Sequence, residues 1–280
     1  MTEVAREYVD ARRVLLDALA GLRPHLDAFV LVGAQAVYLR TVDRLPGYQP
    51  FTTDADLAFD PGRLADTPLL AEAMEGVGFS FGGQPGIWHR IVTRPDGPDV
   101  TISVDLIVPE HIAPAAGRRG ARLPGGHGKT AAQKTVGVEG ALVDYDPIEI
   151  HALDPMDRRT AVVNVAGPAA LLVAKAIKLG ERLDRPNRLV AKDAGDIFRL
   201  YDAYDIAELS ARMAEVAGDP RSAAVAVLAM GYLATLFATP RSTGIDLAAA
   251  ALAQIVPRDT VMRSMVDSTR AVVARFGSTL

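Results

Sequence analysis

The stretch that decides the fold is FVLVGA at residues 29–34, followed about twenty residues later by TTDAD at residues 52–56. The apolar run ends in Gly33 and opens an amphipathic segment, and this pattern predicts a strand, a tight turn and a helix. The next apolar segment carries Asp54 and Asp56 at i and i+2, which places both carboxylates on the same face of a strand. Two such carboxylates can share a divalent cation, or they are a polar pair on an exposed strand face. A glycine turn lets the backbone approach a phosphate.

Composition limits the class of protein. The chain has 280 residues, 49% of them apolar, which is enough for one large domain or two ordinary domains. It contains no cysteine, which excludes disulfides, thiol catalysis and zinc–thiolate sites. The net charge of −4 argues against a general nucleic-acid-binding surface, so any basic patch must be local.

Neither a secretory signal nor a membrane span is predicted. Residues 1–7 carry charges and lack an apolar core segment. The most apolar window, residues 223–238, is rich in alanine and shorter than the ~20 residues that a membrane span needs. We therefore expect a buried helix there, no membrane association and a cytoplasmic protein.

Hydrophobic periodicity divides the chain near residue 166. Alternation and turn signals predict a mixed α/β domain before it, with strands at 29–32, 54–59, 87–92, 100–108, 135–143 and 160–165, a turn at 95–98, and helices at 8–22, 36–39 and 69–74. After Pro168 the period is helical, with predicted helices from 168, at 191–204, 206–217, 223–238 and 247–255, and from 260. The predicted fold class is α+β, a mixed-sheet core followed by a C-terminal helical bundle, with domains 1–166 and 167–280.

Asp105 supplies a third carboxylate. Apolar and polar residues alternate over 100–108, and Asp105 lies on the polar face. In a neighbouring strand it would face Asp54 and Asp56, and three carboxylates suit two divalent cations ~3.5–4 Å apart. Alternatively, Asp105 is a general base for an acceptor hydroxyl, or a polar residue on an exposed strand face.

Two further motifs are interpreted without a ligand. Asp144 and Asp146 repeat the Asp-x-Asp spacing, but no glycine turn precedes them, so we interpret them as a solvated turn. The sequence GGHGKT at 125–130 resembles a phosphate-binding P-loop, but Leu123 stands where the first glycine must be. The five histidines show no metal-ligand spacing.

The helical half carries charged residues on helix faces. Lys175, Lys178 and Arg182 lie at i, i+3 and i+7 on one stripe, which can hold a triphosphate or be a solvated basic face. Asp193 and Asp196 follow at i and i+3. They either orient those cations or are acids favoured by the helix dipole near an N-terminus.

A Gly-, Pro- and Arg-rich stretch between Pro109 and Lys134 is predicted to be a long loop. Its charged residues are Glu110 against five cations: Arg118, Arg119, Arg122, Lys129 and Lys134. Such a local excess suits an RNA backbone, and RNA binding of this kind weakens as salt rises. The alternative is a disordered basic loop without a ligand.

Taken together, these motifs resemble the AbiEii/AbiGii-like branch of the DNA-polymerase-β-type nucleotidyltransferases, which includes toxins of toxin–antitoxin systems. The branch has a strand, Gly-Gly or Gly-Ser, a helix and Thr-x-Asp-x-Asp, similar to Gly33-Ala34 and residues 52–56. Its lysine-bearing helix and its Lys/Arg-Asp-x-x-Asp helix are similar to LLVAK at 171–175 and KDAGD at 192–196. The motifs occur in the same order, although Ala34 replaces a serine or second glycine.

The resemblance implies transfer of a nucleoside monophosphate from an NTP to an acceptor hydroxyl, in the cleft between the two domains. Asp54, Asp56 and Asp105 would hold Mg²⁺ or Mn²⁺, and Asp105 alternatively acts as the base. Lys175 would bind the triphosphate of the NTP. The other residues implied in nucleotide binding are Gly33, Ala34, Lys178, Arg182, Asp193 and Asp196.

The resemblance also implies an acceptor and a partner. The acceptor it favours is RNA, at the end of a tRNA, in a toxin-like role with a cognate antitoxin protein. Two alternatives stay open. One is nucleotidylation of a small molecule such as an aminoglycoside, or of a protein side chain. The other is a catalytically silent homologue that binds nucleotide or a partner protein.

Overall fold

A computed structural model of the chain describes residues 4–42, 44–94, 97–113, 119–185 and 189–278. The predicted turn residues Pro95 and Asp96 and the predicted RNA-binding residue Arg118 lie outside the described residues. Two compact units are present. The first takes the described residues of Met1–Gln35, Gln49–Thr135 and Tyr145–Val165, and the second those of Ala36–Tyr48, Val136–Asp144 and Ala166–Leu280.

The described residues of the first unit include an eight-stranded sheet. Its strands are β1 Phe29–Val32, β2 Asp54–Phe59, β3 Ser80–Phe81, β4 Ile87–Val92, β5 Val100–Pro109, β6 Gln133–Thr135, β7 Tyr145–His151 and β8 Thr160–Ala166. The order across the sheet is β3-β4-β5-β2-β1-β8-β7, and β6 pairs with the end of β5. Strand β1 is antiparallel to β2, whereas β2 and β5 are parallel. The sheet is therefore mixed, and the predicted α+β fold class is confirmed.

Helices separate some of the strands and follow the last one. In the described part of the chain they are α1 Arg6–Gly21, α2 Gly33–Arg40, α3 Leu70–Gly76, α4 Pro168–Gly180, α5 Ala191–Ala203, α6 Ile206–Gly218, α7 Ala223–Phe237, α8 Thr243–Leu252 and α9 Arg258–Gly277. The helical region predicted after residue 167 is confirmed. Pro168 opens α4, where its missing N–H removes no helical hydrogen bond. None of these helices is both long and apolar enough to span a bilayer.

The apolar core of the first unit sets the register of its central strands. The rings of Phe29 and Phe59 lie 4.7 Å apart, and both side chains are fully buried. Leu31 and Leu57 pair on the same face of the sheet and are also fully buried. A slip of one residue would move this apolar set to the opposite face, so packing specifies the register strongly. The same register places the acids of β2 on the other face.

The strand predicted at 135–143 is wrong. Strand β6 ends at Thr135, and residues Glu139–Leu142 form a short 3₁₀ helix before β7 begins. Gly137 adopts φ +93°, which interrupts the extended chain. A carboxylate oxygen of Glu139 accepts the N–H of Gly137 at 2.6 Å, so a local turn replaces the expected strand.

The solvated turn predicted at Asp144 is also wrong. Asp144 is buried, and its Oδ2 accepts the N–H of Ala170 in the first turn of α4 at 2.9 Å. Its Oδ1 accepts a hydrogen bond from Arg212 at 2.8 Å. Asp144 therefore satisfies an unpaired donor at the start of α4, where the helix dipole favours a negative charge.

Candidate functional site

The strand register brings three acidic side chains to one face of the sheet. Asp56 lies opposite Val32 of β1 and beside Asp105 of β5. Asp54, two residues earlier on β2, points to the same face and pairs with Ser103. We call Asp54, Asp56 and Asp105 the carboxylate cluster. All three side chains are half-buried.

The carboxylate cluster holds more negative charge than its surroundings favour. Burial, the charge of Asp56 and the charge of Asp54 together raise the pKa of Asp105 to about 7, although a hydrogen bond from Gln133 opposes the rise. That bond joins Gln133 Nε2 to Asp105 Oδ2 at 3.1 Å. Asp105 Oδ1 is buried and has no hydrogen-bond partner among the described residues. Repulsion between like charges and loss of hydration both disfavour the ionised form of Asp105, and a cation would relieve the repulsion.

Gly33 forms a turn directly against the carboxylate cluster. It has φ +71°, a conformation that favours glycine. A Cβ at this position would lie 2.0 Å from Asp56 Oδ2, so a side chain is excluded on steric grounds as well. Gly33 also begins α2, whose first N–H groups have no partner within the helix. The bare backbone beside Asp56 is therefore suited to the approach of an anion.

Buried polar side chains that sequence reasoning missed hold Asp54 in place. Gln35 Nε2 donates to the Asp54 carbonyl oxygen at 3.1 Å, and Arg12 Nε donates to Gln35 Oε1 at 3.0 Å. The hydroxyl of Thr52 donates to Asp54 Oδ1 at 2.5 Å. A polar residue in the first turn of an apolar helix was the available signal for Gln35. Its partners on α1 and β2 are distant in sequence, so the pattern did not reveal them.

The donor chemistry of the carboxylate cluster fits a divalent cation. Among the residues that the structure describes, no three His, Cys, Asp or Glu side chains are already arranged as a metal-ligand set. Carboxylate oxygens are nevertheless the donors that Mg²⁺ and Mn²⁺ prefer. The unpartnered Oδ1 of Asp105 and the repulsion within the cluster both favour a bound cation.

The second unit contains a different acidic cluster, which encloses its own cation. Lys175 Nζ lies 2.7 Å from Asp193 Oδ1 and 2.6 Å from Asp196 Oδ2, and all three residues are buried. Burial alone lowers the pKa of Lys175, but the two carboxylates outweigh it and the pKa lies above its ordinary value. Burial likewise raises the pKa of Asp193, and Lys175 and Lys178 outweigh that effect and lower it.

The other two cations predicted to bind nucleotide also approach Asp193. Lys178 Nζ lies 3.3 Å from Asp193 Oδ1, and Arg182 Nη1 lies 3.9 Å from Oδ2. The side chain of Lys178 is 48% exposed and that of Arg182 is 28% exposed. The structure thus brings the predicted cations and acids of the second unit together. Their role towards a triphosphate stays a prediction.

The stretch predicted to be a long loop contains regular structure in its described residues. Pro109 ends β5, Glu110–Ile112 form a short 3₁₀ helix, and residues 119–134 belong to a hairpin that ends at Thr135. We call residues 119–135 the basic hairpin. Antiparallel bridges join Gly120 to Gln133 and Leu123 to Gly128. The buried His127 anchors the tip, because its Nδ1 accepts the N–H of Leu70 at 3.1 Å. The hairpin has no acidic residue and four cations, of which Arg119, Arg122 and Lys129 are exposed and Lys134 is half-buried.

These elements define a class of site. Acidic side chains lie beside a glycine turn at a helix N-terminus, an arrangement suited to a divalent cation and a phosphate. No protein-family model matches the chain, and no curated protein matches it. Among solved structures, the chain is similar to an antigenic nucleotidyltransferase-like protein from Paracoccidioides brasiliensis, with 16% identity and a TM-score of 0.47 over 91% of this chain and 97% of that one.

Proposed function

We propose that this protein is a nucleotidyltransferase that moves a nucleoside monophosphate from an NTP to an acceptor hydroxyl. The observation that carries the proposal is the register of Val32, Asp56 and Asp105 beside Gly33. This register places a turn that a phosphate can approach beside acids that can bind a divalent cation. If Asp105 had a structural role alone, it would be expected to pair with a cationic side chain, and among the described residues none shifts its pKa.

Asp54 and Asp56, with Asp105, would hold Mg²⁺ or Mn²⁺. The bound cation would neutralise charge on the phosphates and on the leaving group. Thr52 and Gln35 keep Asp54 in place, and the backbone at Gly33 and Ala34 approaches the phosphates.

In the proposed reaction the acceptor oxygen forms a bond to the α-phosphorus, and the bond from that phosphorus to the bridging oxygen of the β-phosphate breaks. Pyrophosphate leaves with that oxygen. The hydroxyl proton passes to Asp105 or to water, so that Asp105 acts either as a third cation ligand or as the base.

In the second unit, the proposal assigns cations to the triphosphate. Lys175 is held by two carboxylates, so its ammonium has limited capacity for a further anion. Lys178 has the most exposed side chain of the three predicted cations, and Arg182 has a guanidinium suited to a phosphate. In this assignment Lys175, Asp193 and Asp196 provide the scaffold that presents Lys178 and Arg182.

For the acceptor we propose RNA, at the end of a tRNA, in a toxin-like role opposed by an antitoxin protein. The support is the basic hairpin, whose cations have no acid within the hairpin to oppose them although the chain as a whole has a net charge of −4. A local cationic surface in an acidic protein favours a nucleic-acid backbone.

The proposal is tested with each labelled NTP in turn, Mg²⁺ and total cellular RNA. We expect label in RNA from the parent, and loss of transfer by at least about a hundredfold in Asp56→Asn, because interactions made in the transition state disappear. Asp56→Asn should melt at the same temperature as the parent or higher, since it removes the charge of one of the three acids in the carboxylate cluster.

The matched control is Asp66→Asn, which removes one exposed acid of the first unit and should leave transfer unchanged. Full activity in Asp56→Asn would rule out the proposed site. A parent that binds NTP but labels no RNA, small molecule or protein would instead be a silent homologue.

The acceptor is tested through the hairpin cations. The double change Arg119→Gln and Arg122→Gln should reduce RNA labelling and preserve NTP affinity. The slope of log RNA affinity against log salt concentration should also fall, by roughly one counterion for each phosphate that is no longer neutralised. Arg23→Gln with Arg63→Gln makes the same change of net charge at exposed positions of the same unit. Equal RNA labelling in both double variants would favour a small-molecule or protein acceptor.

A further inference from the structure

Gln133 belongs to two parts of the first unit at once. It pairs with Gly120 across the basic hairpin, and it begins β6, where it pairs with Ile107 of β5. Its side chain donates to Asp105, two residues earlier on β5. A single residue therefore connects the proposed acceptor surface to the carboxylate cluster.

Close backbone packing holds Gln133 in position. A Cβ at Gly86 would lie 2.4 Å from the backbone nitrogen of Gln133, so only glycine allows β6 to approach this closely. The Gly86 N–H donates to the Thr130 carbonyl at 2.9 Å, and Trp88 Nε1 donates to the Ala131 carbonyl at 3.1 Å. The second strand of the hairpin is thus fastened to β4 immediately before Gln133. If the hairpin moved, the side-chain amide of Gln133 would move with it.

The hydrogen bond from Gln133 distinguishes the two oxygens of Asp105. Oδ2 accepts the Gln133 hydrogen bond, whereas Oδ1 is buried with no partner in the part of the chain that the structure describes. A donor on one carboxylate oxygen fixes the side-chain torsion and leaves the other oxygen for a ligand. Partners of this kind around metal ligands typically change metal affinity by about 10–100-fold when they are removed.

We propose that Gln133 is a positioning residue that orients Asp105 for a divalent cation and couples occupancy of the basic hairpin to that cation. The inference rests on the proposed function for the identity of the ligands, a divalent cation and an RNA backbone. RNA bound to Arg119 and Arg122 restrains the hairpin, and the restraint reaches Asp105 through the Gln133 amide. Because coupling between two sites is reciprocal, the cation in turn strengthens RNA binding.

The first measurement needs no catalysis. Mn²⁺ affinity is determined by electron paramagnetic resonance for the parent, Gln133→Met and Gln133→Leu. Both variants remove the donor without adding a charge. We expect each to bind Mn²⁺ about tenfold more weakly or worse, as for other partners of metal ligands. Gln254→Met, an exposed glutamine of the second unit, is the control and should match the parent.

The second measurement tests the coupling. The affinity for a fluorescent single-stranded RNA of about ten nucleotides is compared with and without Mn²⁺. Screening of the RNA by Mn²⁺ is the same for all variants, so only differences between them are informative. The quantity compared is the factor by which Mn²⁺ increases the affinity for RNA. We expect this factor to be several-fold larger in the parent and in Gln254→Met than in Gln133→Met.

Two results would overturn the inference. The first is unchanged Mn²⁺ affinity in folded Gln133→Met and Gln133→Leu. The second is an equal effect of Mn²⁺ on RNA binding in the parent and in Gln133→Met. A parent that transfers nucleotide without measurable Mn²⁺ binding would overturn the inference alone. If the Mn²⁺ affinity depends on Gln133 but the parent transfers no nucleotide, the proposed function alone would be overturned.

Discussion

The two units place their acid clusters in opposite electrostatic environments. In the second unit, Asp193 and Asp196 enclose Lys175, and the pKa of Asp193 is lowered. In the first unit, Asp105 lies beside Asp56, and among the described residues no cationic side chain offsets the rise of the Asp105 pKa to about 7. One acidic cluster encloses a lysine of the chain, whereas in the other burial and the charges of Asp56 and Asp54 all oppose ionisation of Asp105.

This difference separates a scaffold from a candidate binding site. An acid cluster that is neutralised by its own lysine gains nothing from a metal ion, and loses stability if the lysine is removed. A cluster of acids that repel one another is less stable by itself and gains stability from any divalent ion that enters. The carboxylate cluster of the first unit is therefore the better candidate for a metal site.

The largest expected effect on stability is at Lys175. Lys175→Met leaves Asp193 and Asp196 buried without their cation, and removal of one partner from a buried ion pair typically costs about 3–5 kcal/mol. Chemical denaturation of the variant should show this loss. The triple change Lys175→Met, Asp193→Asn and Asp196→Asn should recover most of it, because no charge is left uncompensated.

Lys178→Met is the matched control, and its half-exposed pair with Asp193 should contribute no more than about 1 kcal/mol. Calorimetric titration with NTP and Mg²⁺ then tests the predicted triphosphate role. A folded Lys175 variant with unchanged NTP affinity would remove Lys175 from the nucleotide site and leave it as scaffold.

The next effect is the pH dependence of stability caused by Asp105 in metal-free protein. The pKa of Asp105 is raised from 3.8 to about 7 on folding, so the folded state binds more protons than the unfolded state between those values. Stability therefore falls as pH rises through this window, by roughly 2–3 kcal/mol once solvent screening of a half-buried group is allowed for.

Asp105→Asn should remove this part of the decline, and denaturation curves measured in chelator from about pH 4 to about pH 8 would show it. Saturating Mg²⁺ should also reduce the decline in the parent, because a bound cation keeps the carboxylate ionised. Parallel pH profiles for parent and variant would mean that folding raises the pKa of Asp105 less than the comparison of the two units implies.

The smallest of the three effects is at Gly33. Gly33→Ala forces a Cβ against Asp56 at a positive φ, and should cost about 1–3 kcal/mol in stability. Gly83→Ala is the control, because Gly83 has φ +81° but a Cβ added there would meet nothing within 4 Å. The difference between the two melting temperatures isolates the contact with Asp56. Equal losses would show that only backbone conformation matters at Gly33.

Local pattern was sufficient for most of the elements of the fold. Strands β1 and β2 were predicted to the residue, because apolar runs bounded by Gly33 and by the polar residues before Asp54 leave few alternatives. The alternation in β5 also placed Asp105 on the polar face. The strand predicted at 135–143 failed because a hydrogen bond between Glu139 and Gly137 competes with extended structure there.

Long-range partners were beyond the reach of pattern. Asp144 and Asp54 both begin an Asp-x-Asp pair, yet Asp144 caps α4 and pairs with Arg212, which lies 68 residues later. Lys175 and Lys178 share one helix face, but only Lys175 is enclosed by two acids. Spacing along the chain does not distinguish an exposed cation from a buried one, since burial depends on elements that meet only after folding.

The sequence by itself determined the α+β class, the glycine turn and the placement of Asp54 and Asp56 on one face, because these follow from steric preferences and from the two-residue period of a strand. The tertiary structure alone decided that β5 lies beside β2, that Gln133 contacts Asp105 and that Lys175 is neutralised by Asp193 and Asp196. Strand order and ion pairing depend on core packing between segments that are distant in sequence, and a local sequence pattern does not predict that packing.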